Sequence, residues 1–133
     1  MELEGTPGSR YSDEHHHRRH VQQSCALCVP TGSGRKTNFL QIANHGGHYD
    51  GRYWDLEYKS EEHSYVYASL AASYSILIYD RPGAGNSDIP DAYNGVQRAP
   101  ELNILGQLTK KARDGSLISA HSWSEAGLEV KAR

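Results

Sequence analysis

Short apolar stretches in this 133-residue sequence alternate with glycine-rich loops and helical patterns, and that order restricts the folds open to it. Residues 38–43 and 75–79 have strand character, and each stretch is followed by a loop rich in glycine. One helical pattern lies between them, within 61–74, and a second follows Pro100. Alternating strands and helices indicate right-handed βαβ crossovers onto a parallel sheet. The sequence therefore predicts an α/β fold, a parallel sheet with flanking helices.

The spacing of apolar residues predicts which side of each helix faces the sheet. The first pattern repeats at i, i+3, i+4 and i+7 in Tyr67, Leu70, Ala71 and Tyr74. The second pattern consists of Leu102, Leu105, Leu108 and Ala112. This second helix is expected to end at Asp114-Gly115. Beyond it, 116–119 is predicted to be a third strand and 124–133 the start of another helix.

The N-terminal 24 residues differ in composition from the rest of the chain. They are polar, contain a His/Arg run at 15–20, and predict a disordered tail before a domain at 25–133. A net charge of −2 offers no electrostatic basis for binding nucleic acid or an anionic membrane. No apolar run approaches the roughly 18–20 residues of a membrane span, and no secretory signal is visible. The default expectation is a cytoplasmic protein.

Three local patterns are similar to metal, redox or nucleotide sites but depart from them. Cys25 and Cys28 form a lone C-x-x-C, without the second pair or the spaced histidines of a zinc site. The histidines at 15–20 would bind metal opportunistically, without a preformed geometry. Residues 29–37 lack the first glycine and the spacing of a phosphate-binding P-loop. No metal or cofactor is predicted; metal binding through the histidine run and the cysteine pair is a weaker alternative.

Three motifs follow one another along the chain and carry a family resemblance. The first is a strand exit made of His45, Gly46 and Gly47. The second is the short segment Tyr53-Trp54-Asp55, and the third is the glycine turn Asp80-Arg81-Pro82-Gly83-Ala84-Gly85-Asn86-Ser87-Asp88. In their order and spacing they resemble the α/β-hydrolase family over about residues 28–115. The resemblance is closest to uncharacterised, largely fungal members, in which a Cys-x-Pro-Thr segment like 28–31 precedes the first loop.

The resemblance implies a different role for each of the two loops. In an acyl hydrolase, backbone N–H groups of the first loop would stabilise the negative charge that develops on the carbonyl oxygen, here from Gly46 or Gly47. The alternative is that residues 45–47 are only a tight strand exit. The second loop would be a structural turn, built on Asp80, Gly83, Gly85 and Ser87. Complete relatives would act on small ester or acyl substrates.

The nucleophile of this family lies on a G-x-S-x-G elbow between a strand and a helix. The one candidate here is Ser122, in Ala120-His121-Ser122-Trp123-Ser124. Ala120 and Ser124 replace the two glycines that this strained turn requires. Either the elbow is degenerate, or the sequence departs from the family near Gly115.

The triad acid and histidine follow the serine in this fold. All eight histidines lie at or before position 121, and His121 is too close to Ser122 in sequence to act as its base. The domain also usually needs about 200–250 residues. We therefore expect an inactive N-terminal part of an ester or acyl hydrolase. Because an incomplete sheet exposes a strand edge, self-association is expected. A non-catalytic module that pairs through that edge is the alternative.

Overall fold

A computed structural model describes residues 23–89, 91, 93 and 98–117, and the backbone of 118 and of 128–132. Its strands are β1 Cys25–Val29, β2 Leu40–Asn44, β3 Ser75–Tyr79 and β4 Leu128–Ala132. Its α-helices are α1 Ser60–His63, α2 Tyr65–Ala71 and α3 Arg98–Asp114, and two 3-10 turns cover Gly51–Tyr53 and Ser116–Ile118. The mixture of helices and strands agrees with the predicted α/β class.

The four strands form one mixed sheet in the order β2-β3-β1-β4. Strands β2 and β3 are parallel, and their register pairs Leu40 with Ser75. Strand β1 runs antiparallel to β3, whereas β4 runs parallel to β1. The prediction of a wholly parallel sheet is therefore wrong. Two parallel strands are usually joined by a long crossover that contains a helix. The segment between β1 and β2 contains no helix, and β1 runs in the opposite direction to β2 and β3.

The C-terminal elements also differ from the prediction. Residues 116–118 form a 3-10 turn rather than a strand, because Asp114 Oδ1 accepts hydrogen bonds from the amide and the hydroxyl of Ser116. Gly115 supports this turn with a φ of 77°. Residues 128–132 form a strand rather than a helix. Their sequence, LEVKA, alternates apolar and charged residues with the period of a strand.

The helical pattern within 61–74 is divided into two helices at Ser64. The Ser64 hydroxyl oxygen accepts from the Tyr67 amide at 3.0 Å and caps α2, while the hydroxyl donates to Asp55 at 3.0 Å. The side chains that α2 buries are Val66 and Ser69, whereas Tyr67 is 43% exposed. Of the predicted buried face, Leu70 packs against the core and Tyr74 is partly buried, whereas the prediction is wrong for Tyr67 and Ala71, which are exposed. The buried side of α2 instead follows Val66, Ser69 and Leu70, at the i, i+3, i+4 spacing of a helix face.

Each face of the sheet is covered by one helix. On one side, α3 places Leu108 against a buried cluster made of Cys25, Leu27, Leu77, Tyr79 and Leu117. On the other side, α2 places Val66 against Cys28, Ala43, Ile76 and Ile78. The predicted apolar stripe of α3 is retained from Leu105 onward, but Leu102 is 61% exposed. Among the residues that the structure describes, the helices are too short or too polar to span a membrane.

Candidate functional site

The two glycine-rich loops lie side by side at the end of the sheet where β2 and β3 have their carboxyl ends. One loop leaves the carboxyl end of β2 and the other leaves the carboxyl end of β3, and these strands are parallel neighbours. In open α/β sheets, ligands bind in the crevice outside the carboxyl ends of such strands. The loops over 45–51 and 80–88 therefore form the candidate site.

His45 connects the two loops through both nitrogens of its ring. The side chain is 3% exposed; its Nε2 accepts from the Arg81 amide at 2.9 Å, and its Nδ1 lies 2.9 Å from the Gly46 carbonyl oxygen. Since a backbone amide can only donate, Nε2 carries no proton, and Nδ1 carries the proton that it donates to Gly46. His45 is therefore held as one neutral tautomer.

Arg81 extends this network to helix α3. Its Nη1 donates to the His45 carbonyl oxygen at 3.3 Å, and its Nε donates to Glu101 Oε1 at 3.0 Å. A second, shorter contact joins Arg81 Nη2 to the same carboxylate oxygen. The two side chains are only 24% and 21% exposed, so water screens this ion pair less than a surface pair. The first turn of α3 is thereby tied to both loops.

Gly46 and Gly47 follow the buried histidine. Neither amide donates a hydrogen bond to another described part of the chain. A Cβ atom on Gly46 would lie 3.6 Å from Tyr49 Cδ2, and one on Gly47 would meet nothing within 4 Å. Neither residue has a φ in the left-handed region, so this conformation does not itself require glycine. No acceptor in the described part of the chain therefore occupies either amide.

Asp80 is the buried acceptor that holds the second loop. Its Oδ1 accepts from the Gly51 amide at 2.7 Å, and its Oδ2 accepts from the Asn86 amide at 3.0 Å. Gly85 has a φ of 52°, and a Cβ atom there would lie 2.3 Å from Asp80 Oδ2. Gly83 also has a positive φ, of 76°. The turn therefore depends on a carboxylate at 80 and on the missing side chain at 85.

Ser87 is engaged in the same turn. Its hydroxyl donates to the Asp80 carbonyl oxygen at 2.7 Å, and its Oγ accepts from the Ser24 amide at 2.9 Å. The Asp80 amide in turn donates to the Ser24 carbonyl oxygen at 2.9 Å. Ser87 thus joins the turn to the residue that precedes β1, and its oxygen acts as a structural bridge rather than a nucleophile.

Cys25 and Cys28 face opposite sides of the sheet. Cys25 belongs to the cluster under α3 and Cys28 to the cluster under α2, as alternating positions of one strand require. Both thiols are buried, and neither is part of a disulfide. Two side chains on opposite faces cannot bind one metal ion or form a disulfide with each other. Within the described residues, no group of three or more His, Cys, Asp or Glu residues is placed to bind a metal ion.

Because the Cys25 thiol is buried, we expect the protein to lose stability at alkaline pH. Burial, reinforced by the Asp80 charge and partly offset by Lys111, raises the pKa of the Cys25 thiol from 9.0 to about 11. The folded protein keeps this thiol neutral, so its contribution to stability is complete below pH 9 and is lost as the pH rises through about 11. We expect the free energy of unfolding to fall by about 1 kcal/mol per pH unit across this window from this group alone.

Urea unfolding at several pH values between 8 and 11, on the native chain and on Cys25→Ala, measures this effect. Burial also raises the pKa of Tyr79, which contributes to the alkaline loss in both proteins. The Cys25→Ala chain should therefore show a shallower slope rather than none. Equal slopes in the two proteins would contradict the buried neutral thiol.

Several contacts at the site were not predicted from the sequence. The Arg81–Glu101 pair joins residues twenty positions apart, and the Gly51–Asp80 bond joins residues twenty-nine apart. Arg81 lies within the glycine turn at 80–88, but nothing in the sequence indicates Glu101 as its partner. Ser122 and the histidine run at 15–20 lie outside the described residues.

Comparisons with known proteins do not assign a family. No family model matches the chain, and a search of curated proteins finds no similar sequence.

Proposed function

We propose that this chain provides the oxyanion-binding part of a serine α/β-hydrolase that acts on ester or acyl substrates. The supporting observation is the pair of amides at Gly46 and Gly47, which follow β2 at its carboxyl end and have no acceptor among the described residues. The sequence resemblance at 45–47 and 80–88 supports the same assignment.

The chemistry of such a loop is electrostatic. When a nucleophile attacks a carbonyl group, the oxygen becomes an anion, and fixed N–H donors stabilise it without reorganisation. Each donor of this kind typically accounts for a factor of about 10²–10³ in kcat. The buried His45 and the bond from Arg81 would keep the loop in one conformation as the charge develops.

The proposal also includes the absence of hydrolysis by these 133 residues alone. His45 cannot act as the general base, because both of its ring nitrogens are already hydrogen-bonded. No histidine follows Ser122. A serine without a base is a weak nucleophile. The chain should therefore bind an oxyanion without turning over an ester.

Binding of acetate to the ¹⁵N-labelled chain tests the proposal at pH 7.5. We expect a saturable downfield shift of the Gly46 and Gly47 amide protons at millimolar acetate, and no such shift with acetamide, which carries no charge. Gly47→Pro removes one donor and should weaken acetate binding about tenfold, the effect of one charge-assisted hydrogen bond. Gly47→Ala keeps the amide and has room for its methyl group, so it is the matched control.

The result that would contradict the proposal is a folded chain in which acetate leaves both glycine amides unchanged. Hydrolysis of p-nitrophenyl acetate above the buffer rate, lost in Ser122→Ala, would instead contradict the predicted inactivity.

Association through a sheet edge is the second candidate function, and the position of β2 favours it. Strand β2 is at the end of the sheet, and no other described strand pairs with its outer side. Phe39, directly before it, is 63% exposed. Unpaired backbone groups of this kind can pair with another chain. Sedimentation velocity over a hundredfold range of concentration distinguishes a defined dimer from a monomer and from open-ended aggregation.

A further inference from the structure

His45 is the point where the first loop, the second loop and helix α3 meet. Its ring donates to the Gly46 carbonyl oxygen and accepts from the Arg81 amide, and its own carbonyl oxygen accepts from the Arg81 side chain. Arg81 is held in turn by Glu101 of α3. The Gly46 carbonyl group belongs to the same peptide unit as the Gly47 amide. The orientation of the ring therefore determines the direction in which that amide points.

We propose that His45 is a positioning residue, whose neutral imidazole fixes the Gly46–Gly47 peptide and whose protonation releases it. This inference rests on the proposed function, because it concerns the same two amides. It adds that the oxyanion-binding conformation exists only while His45 is neutral.

The geometry explains why a proton on Nε2 would break the contact. A protonated ring has donors on both nitrogens, and the Arg81 amide, 2.9 Å from Nε2, is itself a donor. Two N–H groups would then face each other in a site that is 3% exposed. The loop must move to relieve this conflict, and the Gly46–Gly47 peptide moves with it.

Some charged groups around His45 oppose a positive charge on its ring, and others favour it. Arg81, in the second loop, carries a positive charge within hydrogen-bonding distance of the His45 backbone, and that charge opposes a second cation. Glu101 of α3 neutralises Arg81, and Asp50 of the first loop lies close enough to His45 for their charges to interact. The release of the Gly46–Gly47 peptide therefore depends mainly on loss of the hydrogen bond from the Arg81 backbone amide to His45 Nε2, and less on any single charge.

The test uses the full chain with ¹⁵N-labelled histidine, without any ligand. At pH 7.5 we expect the His45 ring to be protonated on Nδ1 and bare on Nε2 in a long-range ¹H–¹⁵N spectrum. As the pH is lowered, the Gly46 and Gly47 amide resonances should shift with the same midpoint as the ring nitrogens of His45. A proton found on Nε2 at pH 7.5, or glycine amides that do not follow the ring, would overturn the proposal.

Two substitutions separate positioning from simple support of the fold. In His45→Gln, the side-chain oxygen can take the place of Nε2 and accept from Arg81, whereas in His45→Asn the shorter amide can replace only the Nδ1 donor. We expect His45→Asn, which keeps the donor to the Gly46 carbonyl oxygen, to bind acetate within about threefold of the native chain and to lose the pH dependence of the glycine amides. His45→Gln, which lacks that donor, should bind acetate about tenfold more weakly, the effect of one hydrogen bond.

Equal acetate binding by both folded variants would overturn the positioning role. If instead the ring and the glycine amides titrate together but acetate never binds, the positioning role is supported and the proposed oxyanion function fails. The two proposals are therefore tested separately.

Discussion

Replacing Gly85 with alanine is expected to destabilise the protein by about 3–5 kcal/mol. The backbone at this position has a φ of 52°, which costs a residue with a Cβ atom about 1–2 kcal/mol. The new Cβ atom would also lie 2.3 Å from Asp80 Oδ2 and 2.5 Å from Asp80 Cγ. The carboxylate must then move, which breaks its hydrogen bond with the Asn86 amide.

Urea unfolding followed by circular dichroism measures this change, and Gly106→Ala is the matched control. Gly106 lies inside α3, where an added Cβ atom meets nothing within 4 Å. Because alanine favours a helix over glycine, this control should stabilise the protein by about 0.5–1 kcal/mol. The same substitution should thus act in opposite directions at the two sites. Equal effects at both sites would contradict the packing described around Asp80.

Replacing Asp80 with alanine is expected to cost about 2–5 kcal/mol. The change leaves the buried Gly51 amide without its acceptor, which costs about 1–3 kcal/mol, and removes the hydrogen bond to the amide of the exposed Asn86, which costs about 0.5–1.5 kcal/mol. Asp80→Asn keeps one acceptor oxygen and should lose about half as much. Glu61→Ala removes an exposed carboxylate and should stay within about 0.5 kcal/mol of the native chain. Urea unfolding compares the four proteins, and a cost for Asp80→Ala no greater than for Glu61→Ala would show that the bonds contribute nothing.

The double variant tests whether the two effects share one cause. Without the Asp80 carboxylate, a methyl group at 85 no longer meets it, and only the backbone strain of about 1–2 kcal/mol should remain. The two substitutions together should therefore cost less than the sum of their separate costs. Additive costs would mean that the close approach between these residues does not determine the effect of Gly85→Ala.

The positions of the loops that form the candidate site could be predicted from the sequence, but the contacts between them could not. Glycines after an apolar stretch identify a strand exit, so 45–47 and 80–88 could be located from local composition. The role of the His45 ring could not, because it depends on an amide of the neighbouring strand's loop, thirty-six residues away. The role of Glu101 could not be predicted either, because a glutamate in the first turn of a helix is common. Only the packing of α3 against the sheet places it beside Arg81.

The amino-acid sequence by itself determined where β2, β3 and α3 form, because apolar spacing and helix-ending glycines act over a few residues. Only the tertiary structure decided the direction of β1, the strand at 128–132, and the turn of α2 that buries Val66 and Ser69. A five-residue apolar strand can pair in either direction, and the choice is made by its neighbours and by the length of its connections. The sequence thus located the loops, whereas strand pairing brought His45, Asp80 and Arg81 together.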